Sequence, residues 1–169
     1  NIVNINFKKI RNKHKKINGL IGGPPCPPFS KSRFYLKEKN RGLNDNEGFI
    51  TITNYMRAVN ELKPDFFLFE NVHGFIYKPH SSALKLLEQE SDKLGYKLKY
   101  KVLNAANYGI PQKRKRFICI GVLKDLNDFN FPDNTHIENP EQNSDKQPWV
   151  TAGDVLNDID FDLEEDINM

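Results

Sequence analysis

The chain has 169 residues, a formal net charge of +3 and 28% charged residues, enough for one domain with a real core. Its longest apolar runs, at residues 65–69 and 117–123, fall far short of the roughly 20 residues of a membrane span. The basic, polar start has no apolar signal core, so the cytoplasm, or the nucleoid within it, is the expected compartment.

Two cysteines make no disulfide framework, and His14, His73, His80 and His136 stand at no metal-ligand spacing, so no metal site is expected. The sequence opens on Asn1 rather than methionine, which suggests part of a longer protein or subunit. Charge is lopsided. Residues 1–41 carry Lys8, Lys9, Arg11, Lys13, Lys15, Lys16, Lys31, Arg33, Lys37, Lys39 and Arg41 against Glu38 alone, whereas the tail from Thr151 is acidic. A basic front fits a polyanion partner, and from charge alone it fits a solvated face equally well.

Taken in chain order, residues 19–23 read as the end of a buried strand running into Pro24-Pro25-Cys26-Pro27-Pro28. Residues 49–62 space Ile50, Ile52, Met56, Val59 and Leu62 at helical intervals. Residues 65–70 (DFFLFE) form a short apolar run expected of a strand covered on both faces. Residues 81–94 read as a surface helix with a serine cap, ended by Gly95. Strands are expected over 96–103 and 116–122, a connector over 133–148, and a short capped helix over 151–159. Alternation of strand and helix predicts an α/β fold with a largely parallel sheet, whose ligands gather beyond the carboxyl ends of strands. We divide the chain into a core at residues 1–123 and a connector at 124–169.

Three segments carry chemistry. Cys26 sits among four prolines, which stiffen the backbone and remove competing N–H donors. A lone cysteine is more often a small buried hydrophobe, but this loop presents one side chain in one place. Glu70 leaves an apolar strand; partial desolvation would favour its protonated form and suit a general acid. The same glutamate equally fits a helix cap or an arginine partner. In residues 111–116 (PQKRKR), alternation sends Arg114 and Arg116 to one face and Lys113 and Lys115 to the other. Cys119, within an apolar strand, reads as a core residue.

In this order the segments resemble the cytosine-5 DNA methyltransferase family. GGPPCPPFS resembles its Pro-Cys motif, FENV its Glu-Asn-Val motif, PQKRKR its Gln-x-Arg-x-Arg motif, and PWVTAGDVLNDI the approach to its target-recognition region. The resemblance covers residue 19 to about 159. It implies a Rossmann-like core that uses S-adenosylmethionine and acts on duplex DNA with one cytosine flipped out. It casts Cys26 as the nucleophile adding to carbon-6, Glu70 as the group at ring nitrogen-3, Asn71 as a holder of the nucleophile loop and Arg116 as the partner of Glu70 and the base carbonyl. Arg114 would meet a phosphate; Gln112, Ser30 and Arg33 are further DNA-side candidates, and Pro25 is the cofactor-side candidate. Pro27 stands where the family has glutamine. No glycine-rich loop opens a helix before Cys26, and no recognition domain follows residue 159, so a fragment or one subunit of a split enzyme with a complementary polypeptide is expected. An RNA cytosine-5 methyltransferase and a non-catalytic nucleic-acid-binding subunit are the alternative readings.

Overall fold

A computed structural model describes residues 1–14, 16–30, 40–142 and 144–157. They form two compact units, one of residues 1–103 and 115–131, the other of residues 104–114 and 132 onward. The first unit is built on a sheet in the order β1 (Gly19–Gly22), β2 (Phe66–Val72), β4 (Lys115–Leu123), β3 (Tyr96–Asn104). The α/β class is as the sequence predicts. Strand β1 runs parallel to β2, pairing Gly22 with Phe69, and β4 enters antiparallel to β2, pairing Val72 with Arg116.

Helix α1 is Phe7–Lys13, α2 is Asn46–Leu62 and α3 is Ser81–Lys93. Helix α2 starts earlier than its apolar spacing predicts, because Asp45 caps it by accepting from the N–H groups of Glu47 (2.9 Å) and Gly48 (3.4 Å). It stops where Lys63 turns left-handed (φ 48°) before Pro64. Thr51, Ile52, Tyr55, Met56, Val59 and Leu62 lie on its buried face. The expected serine cap of α3 is not used: Ser81 is already helical and His80 stands at the N-cap without a side-chain cap bond. His80 is instead buried, its Nδ1 2.8 Å from the Gly74 carbonyl. Gly95 (φ 84°) does end that helix.

Both helices contribute to the core that buries Phe67, Phe69, Phe117 and Cys119, the alternate residues of β2 and β4. Phe29 and Phe75 complete it, with ring centroids 4.8 Å apart. The opposite sheet face, with Phe66, Leu68, Ile118, Ile120 and Val122, is only partly covered within this unit. Strand β1 is not the buried strand its glycines and leucine suggest. Among the described residues it has β2 as its sole neighbour in the sheet, and Ile21 is 72% exposed. Helix α1 was not legible as an element, having only Phe7 and Ile10 as apolar guides. Phe7 packs on Ala58 and Leu62, and Arg57 lies 4.9 Å over its ring while donating to the carbonyls of Ile2, Val3 and Ile5.

In the second unit, the expected connector carries two short paired strands, β5 (His136–Ile137) and β6 (Gln147–Pro148). Helix α4 (Ala152–Leu156) begins at a reciprocal capping box between Thr151 and Asp154, as the sequence predicts.

Candidate active site

Parallel pairing of β1 and β2 brings their carboxyl ends together, so the loop after Gly22 and the Glu70-Asn71 pair meet at one end of the sheet. Antiparallel entry of β4 puts Arg116 at that same end. The sequence put the Cys26 loop and Glu70-Asn71 at strand carboxyl ends, and in the first unit Arg116, at the start of antiparallel β4, joins them.

The side chains of Glu70 and Asn71 point to opposite faces of the strand. Asn71 turns toward the helices, is 1% exposed, and donates from Nδ2 to the Pro24 carbonyl (3.2 Å) while its Oδ1 accepts from the Val72 N–H (3.0 Å). It thus tethers the loop two residues before Cys26. From there the chain makes a 3₁₀ turn, Pro27–Phe29, in which the Phe29 N–H donates to the Cys26 carbonyl (2.9 Å). Phe29 is buried against Phe75 and the edge of the His80 ring, anchoring the loop on its other side. Cys26 itself is half-buried and Pro25 exposed.

Glu70 emerges on the less-covered face and forms an ion pair with Arg116, Oε1 to Nε at 2.9 Å, with both side chains partly exposed. Of the sequence readings for this glutamate, the arginine partner is present, with the Glu70 residue half-buried at the end of its apolar strand. Arg116 also donates from a terminal nitrogen to the Lys115 carbonyl (3.0 Å), which fixes the guanidinium along the strand end. The second oxygen of Glu70 lies against Gly23, where a Cβ would come within 2.9 Å of it. A side chain at this position would push the end of the Glu70 side chain aside, a role for Gly23 that the motif did not disclose.

Cys119, the other thiol, is fully buried, and desolvation, with Glu88 adding to it, pushes its pKa up to about 12. It is a core residue, as expected. Of the basic front, helix α1 with Lys8, Lys9, Arg11 and Lys13 stands apart from this site. Helix α1 packs on the last turns of α2, whose end feeds the start of β2, whereas Cys26 lies at the strand ends.

Gln112 and Arg114 belong to the second unit. Both are exposed, and the Arg114 backbone is fixed by its N–H donating to Asn104 Oδ1 (3.0 Å) and its carbonyl accepting from Ala105 (3.0 Å). Ser30 is half-buried at the end of the 3₁₀ turn, and Arg33 lies outside the described residues. Among the described residues no cluster of His, Cys, Asp or Glu could hold a metal, and no helix is long and apolar enough to cross a membrane.

A cysteine loop tethered by Asn71 and a Glu70–Arg116 ion pair thus share one end of an α/β sheet. The family model of C-5 cytosine-specific DNA methylases matches residues 1–168, and the chain belongs to that family. It is similar to the Type II methyltransferase M.SacI of Streptomyces achromogenes, 42% identical over 117 residues, which are 69% of this chain and 29% of the relative. It is also similar to the Type II methyltransferase M.NgoPII of Neisseria gonorrhoeae, 34% identical over 146 residues, 86% of this chain and 39% of the relative. Among solved structures, a protein encoded within an E. coli prophage and described as a DNA modification methyltransferase superposes with a TM-score of 0.67 at 27% identity. That match covers 95% of this chain and 41% of the other. The chain therefore spans about a third of the length of the curated relatives it matches.

Proposed function

We propose that the chain carries the base-activating half of a DNA (cytosine-5) methyltransferase, of the kind its Type II relatives represent. The observation that carries this reading is the convergence of Cys26, Glu70, Asn71 and Arg116 at one sheet end, with Glu70 already held by Arg116.

Carbon-5 of cytosine is too weak a nucleophile to take a methyl group unaided. Addition of the Cys26 thiolate to carbon-6 makes the ring enamine-like and shifts electron density to carbon-5, which is covalent catalysis. Glu70, in its protonated form, would donate a hydrogen bond to ring nitrogen-3 and stabilise the charge that develops during addition. Arg116 orients Glu70 and reaches toward the base carbonyl. Asn71 keeps the Pro24–Cys26 backbone in register with both. Arg114 and Gln112 serve the DNA backbone and the flipped nucleotide, joined by Ser30 and Arg33; flipping exposes carbon-6, which stacking shields in the duplex.

The family implies S-adenosylmethionine as methyl donor. The described residues do not by themselves fit it: Pro25 is exposed, and no glycine-rich turn opens a helix beside β1. We assign the donor site to a complementary part of the enzyme, in the same polypeptide or a second one. The edge of β1, unpaired among the described residues, and the apolar cleft of about 690 Å³ on the less-covered sheet face support such a partner, since an open strand edge and an exposed apolar face both favour association.

The test is covalent trapping on duplex DNA bearing 5-fluorocytosine, with S-adenosylmethionine, in the complete enzyme that contains this chain. Fluorine blocks the final elimination, so wild type gives an adduct stable on a denaturing gel and Cys26→Ala gives none. Adduct formation that survives Cys26→Ala, or adducts on transfer RNA but never on DNA, would overturn the assignment.

A further inference from the structure

Lys113 lies in the most cationic run of the chain, residues 113–116, yet its ammonium group, on a side chain 69% exposed, has partners within its own unit. Its Nζ is 2.5 Å from Glu138 Oε1 and 4.8 Å from the centroid of the Trp149 ring. Trp149 is in turn fixed twice: its indole N–H donates to Asn107 Oδ1 (2.9 Å) and its backbone N–H to the Ile137 carbonyl (3.0 Å). Asn107 also accepts the Thr135 N–H at its carbonyl (3.0 Å). The segment between these anchors is the turn from Gly109, left-handed at φ 80° with the His136 ring beneath it, through Gln112 to Arg114. At the far end of that turn the Arg114 backbone is bonded in both directions, while its guanidinium has no partner among the described residues.

We propose that Lys113, Glu138 and Trp149 form a clasp that holds the Gln112–Arg114 turn in the shape that presents Arg114 to a nucleic-acid phosphate. Lys113, despite its charge, is a positioning residue rather than a phosphate contact. Its ammonium group is paired with Glu138 and lies over the indole face; the Arg114 backbone is bonded in both directions and its guanidinium has no partner among the described residues. This inference rests on the DNA-methyltransferase reading for the identity of the ligand, but the clasp itself does not.

Two measurements separate these parts. The first is duplex-DNA affinity of the full chain as a function of salt. Arg114→Met should lower affinity and flatten the slope of log K against log[salt] by about 0.9, the signature of one lost phosphate contact. Lys113→Met and Trp149→Leu should each lower affinity about three- to tenfold with the slope unchanged, the scale expected of one cation–π contact and one surface ion pair. The double variant should do no worse than either alone, because both break one clasp. Lys113→Arg, which keeps both contacts, should restore wild-type affinity. The second readout needs no DNA. Trp149 is the chain's single tryptophan, so acrylamide quenching of its emission should rise in Lys113→Met, and stay at wild type in Lys113→Arg and Arg114→Met. A slope change in Lys113→Met equal to that of Arg114→Met would make Lys113 a direct contact and overturn the proposal. So would unaltered quenching in Lys113→Met. Absence of DNA binding by wild type would instead count against the functional reading, with the quenching series still deciding the clasp.

Discussion

Glu70 and Asn71 are neighbours in sequence with opposite tasks, and strand pleating assigns them. Asn71 is buried with both ends of its amide engaged, so Asn71→Leu leaves the Pro24 carbonyl and the Val72 N–H without their partners. A cost of about 1–3 kcal/mol is expected for such unpaired buried groups, read as a lower urea midpoint, together with slower 5-fluorocytosine adduct formation. Gly23→Ala should behave differently. The added methyl group displaces the Glu70 carboxylate, while the exposed backbone around it adjusts. Stability should stay within about 0.5 kcal/mol of wild type, as for other surface changes. Adduct formation should fall on the order of 10- to 100-fold, as a misplaced catalytic group implies. A loss of stability with unchanged adduct rate would show that Gly23 serves folding rather than Glu70. At this scale the sequence motifs were enough to bring forward Cys26, Glu70, Asn71 and Arg116. They said nothing of Gly23 against Glu70, Phe29 under the loop, or Lys113 on Trp149, because each joins residues far apart in the chain. The apolar strand carrying Glu70 was visible locally, whereas Arg116, 46 positions on by its number, is set beside it by the register of β4.

At the level of elements, two tyrosines tie helix to sheet and sheet to connection. Tyr55 of α2 donates to the Leu68 carbonyl in β2 (2.6 Å), and Tyr96 at the start of β3 donates to the Pro64 carbonyl just after α2 (2.6 Å). Burial raises both phenols, Tyr96 to about 12 with Asp65 adding to the shift, and it raises the Cys119 thiol to about 12 as well. In each case the folded state keeps its proton at a pH where the unfolded chain has begun to lose it. The unfolded state then binds fewer protons, so stability is fully present below about pH 9 and declines as pH rises toward 12. The urea midpoint should therefore be flat from pH 7 to 8.5 and fall between pH 9 and 10.5. Tyr96→Phe should make that fall shallower while costing about 0.5–1.5 kcal/mol at neutral pH for the lost hydrogen bond. A midpoint independent of pH over that range would mean that these groups are not buried in solution. Elements with long apolar patterns were legible: α2, α3, β2 and β4 stand close to where periodicity puts them. Boundaries set by side chains outside the pattern were not, as with the Asp45 cap of α2 and the buried His80 that displaces a serine cap from α3. Strand β1 was legible as a strand but not as an edge, since burial depends on neighbours that local sequence does not name.

For the whole molecule, the asymmetry of the main sheet decides its behaviour. One face is sealed by α2 and α3 over Phe67, Phe69 and Phe117, each without exposed surface. The other leaves Phe66 39% exposed and opens a cleft lined also by Leu68, Ile120, Val122, Leu126 and Phe129. Next to it β1 ends the sheet with Ile21 72% exposed. Apolar side chains gathered in such a cleft favour an interaction face, and a strand edge unpaired among the described residues favours pairing. The isolated chain should accordingly bind the dye ANS while unfolding cooperatively, and should self-associate with rising concentration in sedimentation velocity. Phe66→Ser combined with Ile21→Lys should reduce both, because the first thins the apolar cleft and the second places a charge on the open edge. The same pair should abolish adduct formation in the complete enzyme, although neither residue lies in the Cys26 site, because the complementary part would lose its seat. A chain that stays monomeric and silent to the dye would mean that this face is already covered in solution. The complementary part would then have to engage the chain elsewhere.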